Sequence, residues 1–111
     1  MNISYDEFKK AEMKVGEVLR ADRVPETDKL IRMDVLFGPD PENDTRQIVS
    51  GIAEHTTPEA LIGRQLLFIT NLEPRTIKGL ESNGMLLALG DGETFSFLVP
   101  TNTVLPGSQV R

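Results

Sequence analysis

An all-β fold is expected from this sequence: an OB-fold five-stranded barrel, small and partly open, with short helices and a C-terminal extension. Three observations predict it. Five or six short runs of apolar or alternating residues are separated by Gly, Pro, Asn and Asp at steady intervals. A single helix signal falls between the third and fourth runs, where a helix commonly plugs one end of such a barrel. The length, 111 residues, suits one compact domain with one core. A β-sandwich would also use the strands, but the helix favours the barrel.

The elements follow in order. Ser4 with Glu7 three residues on forms a capping box, and Phe8 and Ala11 share a face behind it, which predicts a short N-terminal helix. From Lys14 to Ala21, Val15 and Leu19 are out of phase with strict alternation, and Val18 after Gly16 indicates a strand with a bulge or bend. Asp22 to Lys29 reads as a turn. Leu30–Phe37 then alternates so that Ile31, Met33, Val35 and Phe37 share one face. Gly38–Asp44 is a hairpin loop by composition, and Arg46–Ser50 is the returning strand. Thr57 before Pro58 starts a short helix that Gly63 ends. Leu66–Thr70 and Met85–Leu89 are apolar strands, and a turn at 90–93 leads to a last strand over Phe95–Val99.

Composition narrows the function. Hydrophobic residues make up 39% and charged residues 26%, with no apolar run long enough to span a bilayer, so no membrane role is expected. The first residues lack a basic segment followed by an apolar one, which predicts no secretory signal and a cytoplasmic address. There is no cysteine, and the single His55 cannot build a zinc site alone, so neither metal nor cofactor is expected. The net charge of -5 argues against coating nucleic acid by bulk electrostatics. The charge is unevenly distributed, however. Residues 38–63 hold Asp40, Glu42, Asp44, Glu54 and Glu59 against Arg46, whereas 64–79 hold Arg64, Arg75 and Lys78 against Glu73.

That second region belongs to the segment Asn71–Ala88, in which polar and basic groups crowd a connection held at both ends by apolar strands. Long connections without secondary structure of their own are often binding loops, and this one presents Asn71, Arg75, Lys78 and Ser82 to anions or hydroxyls. An ordinary solvated loop fits the same spacing. Gly79 and Gly84 read first as turn residues that need positive φ. Catalysis is not expected: His55, Ser50 and Glu54 match no nucleophile elbow, zinc motif or phosphate loop.

The run Asn71-Leu72-x-Pro74-Arg75-x-Ile77-x-Gly79-x-x-Ser82-x-Gly84-Met85-Leu86-Leu87-Ala88 resembles the tRNA-binding domain found at the C-terminus of many methionyl-tRNA synthetases and as a free-standing structure-specific tRNA-binding protein. Lys14–Val18, Asp28–Leu30, Ser50–Ala53 and the tail from Val99 to Val110 match the family in the same order. Glu73 and Glu81 are acidic departures within the loop. The resemblance implies a non-catalytic OB-fold that binds tRNA by shape, acts with or as part of methionyl-tRNA synthetase, and pairs as a homodimer when it stands free. Shape reading suits RNA duplex, whose deep major groove hides the base edges. Arg75 and Lys78 would serve phosphates, while Asn71, Ser50 and Ser82 would serve hydroxyls or base edges. Lys29 and Met85 also match family positions, although Lys29 reads equally as a solvated strand entry and Met85 as core. The apolar tail around Val99–Gly107 is the candidate dimer surface. A chaperone-like module that binds protein or peptide is the alternative, since a related branch of the family is described that way.

Overall fold

The computed structural model describes all 111 residues. Its strands are β1 (Met13–Arg23), β2 (Ile31–Leu36), β3 (Thr45–Ser50), β4 (Gln65–Ile69), β5 (Arg75–Ile77), β6 (Leu80–Ser82), β7 (Met85–Leu86), β8 (Ala88–Leu89) and β9 (Ser96–Phe97). Helix α1 (Tyr5–Lys9) precedes them, α2 (Pro58–Leu61) separates β3 from β4, and a 3-10 turn spans Gly92–Thr94. Five strands form one antiparallel sheet in the order β3-β2-β1-β4-β7. It curls until residues 82–84 run along β3, where Asn83 N–H donates to the Gln47 carbonyl (2.8 Å) and Val49 N–H to the Ser82 hydroxyl (3.0 Å). The result is the expected nearly closed, OB-like barrel.

Curling requires β1 to pair with two strands at once. Met13 to Glu17 pairs with β4, and Glu17 to Arg23 pairs with β2 across a register shift between Val18 and Arg20. Leu19 is the extra residue of this bulge, which bends the strand and resets its inward face from Val18 to Ala21. Gly16 is bare for a packing reason: a Cβ there would collide with Val35 Cγ1 and meet the Phe37 ring at 2.7 Å. Val15, out of phase in the sequence, is 6% exposed beside the C-terminal tail. Gly107 and Ser108 exchange backbone hydrogen bonds with Val15 (2.7 and 2.9 Å), and Val110 N–H reaches the Met13 carbonyl (2.8 Å).

The core is Val18, Ile31, Met33, Val35, Ile48, Leu61, Leu66 and Phe68, all fully buried, with Ala21, Ile52 and Leu86 around them. Leu61 enters it because α2 is anchored at both ends. Thr57 caps it by accepting the Ala60 N–H (3.3 Å), and Gly63 and Arg64 bond the backbone of Val18 at the bulge (2.8 and 3.0 Å). The capping box of α1 is present, with Ser4 and Glu7 each accepting the other's N–H at 3.1 Å, but this helix buries none of its residues.

Two expectations need correction. The segment 71–84 is not a structureless loop: β5 and β6 make a hairpin with Ile77 opposite Leu80. The expected strand Met85–Leu89 divides, because the chain changes partners at Leu87. Its N–H still bonds the Leu67 carbonyl (3.0 Å), whereas Ala88 and Leu89 pair with β9.

Candidate nucleic-acid interface

The β5–β6 hairpin turns on two residues, Lys78 and Gly79, with φ of 50° and 81°. Two successive positive φ values fit the mirror-image type I′ turn, whose twist matches paired strands. Gly79 adopts it freely, whereas Lys78 carries a side chain into the left-handed region at a cost of roughly 1 kcal/mol. The hairpin is fastened to β3 by Ser82, by Asn83 and by Gln47, whose amide donates to the Glu81 carbonyl (3.0 Å). Gln47 carried no signal in the sequence; its role appears only once the hairpin is laid on β3.

Ion pairs sort the cations. Lys14 pairs with Glu12 (3.2 Å), and Lys29 lies 3.8 Å from Glu54. Arg32, on the outer face of the sheet, is gripped at 2.7 Å by both Asp22 and Asp34, and Asp22 first, then Asp34, raise its pKa against the opposing effect of burial. Arg46 donates to the Thr70 carbonyl and lies over the Phe37 ring at 5.6 Å. Arg75 and Lys78 are exposed and enter no ion pair. These two are the available phosphate partners on the hairpin.

Barrel closure sets where the residues singled out in the sequence lie relative to one another. Ser50 pairs with Ile31 at the end where β1 finishes, and Lys29 and Lys78 line one cleft there with Glu26, Thr27, Asp28, Leu30 and Ile77. Met85 pairs with Ile69 on β4 and is 40% exposed. Closure of the barrel brings Met85 back to β3: the Ser82 hydroxyl that accepts the Val49 N–H (3.0 Å) donates toward the Gly84 carbonyl (3.2 Å), so Met85, next to Gly84, lies near Ser50, next to Val49.

Two polar side chains expected to meet RNA are committed to the fold. Ser82 is 2% exposed, and its hydroxyl accepts the Val49 N–H and donates toward the Gly84 carbonyl (3.2 Å). The Asn71 amide accepts the Glu12 N–H (2.8 Å) and donates to the Lys10 carbonyl (2.6 Å). It thereby ties the segment entering β1 to the strand exit before the hairpin. Glu12 completes the tie by accepting the Thr70 hydroxyl (2.7 Å). That bond foremost, then Lys14, holds the Glu12 pKa below its ordinary value of 4.5. A carboxylate depressed on folding contributes stability above its unfolded pKa and loses it as pH falls through the folded one. Glu12→Gln is therefore expected to flatten the loss of thermal stability below about pH 4.5, measured as Tm against pH beside the unmodified chain.

Known proteins share this sequence and this fold. A family model described as "Putative tRNA binding domain" matches residues 13–109. Methionine–tRNA ligases of Methanoregula boonei and Thermotoga maritima are 45% and 40% identical over 109 and 108 residues, or 98% and 97% of this chain. The chain spans 16% of the length of each. Among solved structures, a MetRS-related protein from Pyrococcus horikoshii superposes with a TM-score of 0.86 at 37% identity, covering 100% of this chain and 99% of that one. The chaperone CsaA from Bacillus anthracis does so with a TM-score of 0.85 at 25% identity, covering 100% of both. The chain belongs to the tRNA-binding domain family that these proteins represent.

Proposed function

We propose that this chain binds tRNA by shape through the β5–β6 hairpin and adds tRNA affinity to a methionyl-tRNA synthetase, as an appended domain or a partner subunit, without chemistry of its own. The observation that carries this reading is the pair of unpartnered cations Arg75 and Lys78 on a hairpin pinned to the barrel, with Lys78 held at positive φ. Backbone strain kept at a charged position points to a task the fold itself does not set. Arg75 offers a bidentate fork and Lys78 a point charge, both suited to phosphate, while Lys29 shares the cleft of Lys78. Ser50 and Met85 are secondary contacts in this reading. The likeness to synthetases from several organisms supports the choice of partner.

The test is binding of folded tRNA against unstructured RNA of equal length at two salt concentrations. Preference for folded tRNA supports shape reading; equal or absent binding overturns it. A second expectation follows from the turn. Lys78→Asn is expected to raise Tm slightly, because Asn tolerates the left-handed region, and to lower tRNA affinity. Melting curves and titrations on the same sample check both signs.

Pairing of two copies is part of the proposal. Leu105 and Val99 on the tail are 81% and 50% exposed, and Tyr5 on α1 is 70% exposed. Two hairpins on one assembly would compensate for few charges per site. Sedimentation at micromolar concentration decides between pair and monomer. The chaperone-like reading has one specific observation behind it besides the likeness to CsaA: a crevice lined by Tyr5, Phe8, Ala11 and Val110, among others. Suppression of client aggregation that is lost in Phe8→Ser and independent of Arg75 would favour it.

A further inference from the structure

One aromatic assembly is not used by the hairpin. The His55 ring lies parallel on Phe95, with 4.1 Å between centroids and 2° between planes. Phe95 meets Phe97 edge-on at 5.1 Å and 88°, and the Arg64 guanidinium lies over Phe97 at 5.0 Å. Phe95 and Phe97 are themselves packed against the buried core, so the base of the stack is fixed. His55 is exposed. With one ring face resting on Phe95, what it shows to solvent is the opposite face and the ring edge.

The position matters as much as the stack. Ala53 N–H donates to the Lys29 carbonyl (2.9 Å), and the Glu54 carboxylate is 3.8 Å from the Lys29 ammonium. The segment bearing His55 is thus joined to the turn that forms the cleft with Lys78. The cleft balances Glu26 and Asp28 against Lys29 and Lys78, and Lys78 is the cation in it that enters no ion pair. A flat π-surface near an unpaired ammonium suits an unstacked nucleotide, with its base on the ring and a phosphate on Lys78. An aromatic side chain of a peptide could lie on the same ring, but the unpaired cations Lys78 and Arg75 of the neighbouring hairpin favour a phosphate-bearing occupant.

We propose that His55 is a stacking platform for an unpaired base of the RNA whose backbone the β5–β6 hairpin holds. The inference rests on the RNA-binding reading of that hairpin. It extends that reading from duplex shape to one flipped-out or single-stranded nucleotide, with little preference for base identity, because every base has a π-face.

His55 is the only histidine in the chain, so its ring resonances form a unique NMR probe. Full-length protein is titrated with folded tRNA and, separately, with a short oligoadenylate. Upfield movement of the His55 ring protons by base ring current is expected with both. His55→Ala is expected to weaken RNA binding about 5- to 100-fold with an unchanged salt slope, and His55→Phe to restore it. The platform is overturned if backbone amides of Arg75–Ser82 respond to tRNA while the His55 ring does not, or if His55→Ala binds as the unmodified chain does. If neither RNA perturbs the hairpin, the RNA reading of the hairpin fails. The response of the His55 ring to oligoadenylate then decides the platform alone: movement supports it and its absence overturns it. Movement with a phenylalanine-rich peptide but with neither RNA also overturns it, in favour of a protein partner. The titrations use the unmodified chain, so the outcome stands even where His55→Ala fails to fold.

Discussion

Arg75→Ala is expected to weaken binding of folded tRNA about 10- to 100-fold, the equivalent of one charge-assisted hydrogen-bonding group. It is also expected to lower the slope of log affinity against log salt by about 1, since one phosphate contact would be gone. The structure makes this substitution clean. Arg75 is exposed, enters no ion pair, and occupies a three-residue strand paired only with β6. Its removal therefore leaves no buried partner behind, and Tm should stay nearly unchanged. Arg75→Lys separates two kinds of contact. If the guanidinium grips one phosphate with both arms, Lys keeps the salt slope but loses much of the affinity; if only charge matters, Lys binds as Arg does. Equal affinity and slope in Arg75→Ala and the unmodified chain would remove the hairpin from the interface. Titrations at several salt concentrations measure all of these outcomes.

How much of this was legible in the sequence differs from element to element. The capping box at Ser4 and Glu7, the alternation of Ile31, Met33 and Val35, and the Thr57-Pro58 start of α2 are local signals, and each element stands where its signal lies. The β1 bulge was also visible, because a strand that breaks alternation at Gly16 and Val18 has to bend. The β5–β6 hairpin was not. Its strands have three residues each, too short for a period to register, and Lys78-Gly79 is not one of the common pairs for a type I′ turn. Residue types in the site were readable from the motif, but not their directions. Asn, Ser, Arg and Lys are all plausible RNA partners in a loop. Only the fold shows that Asn71 and Ser82 give their hydrogen bonds to backbone 59 to 61 and 33 residues away, respectively, while Arg75 and Lys78 face outward. The His55–Phe95 stack joins residues 40 positions apart and left no local trace.

Ser82→Ala puts the difference between a contact and a clamp to experiment. Removing the hydroxyl deprives the buried Val49 N–H of its acceptor at 3.0 Å, and the space one oxygen leaves is too small for a water unless the barrel seam opens. A buried donor left unsatisfied costs about 1–3 kcal/mol. For a domain of this length each kcal/mol lowers Tm by roughly 4–8 °C, so the expected loss is easily measured. Hydrogen exchange at Val49 should accelerate with it, because the seam between β3 and residues 82–84 is where the barrel would open first. tRNA affinity should fall as well, because a hairpin freed from one anchor has to be ordered again on binding. Its salt slope should not change, since Arg75 and Lys78 still reach their phosphates. That combination, lower Tm and lower affinity at constant slope, is the signature of a clamp. A residue touching RNA directly would give the reverse: affinity lost with Tm and Val49 exchange unmoved. Such a result would mean that the hairpin swings away from β3 when RNA binds and turns Ser82 outward, making the closed seam seen here the resting state of a surface that opens to its ligand.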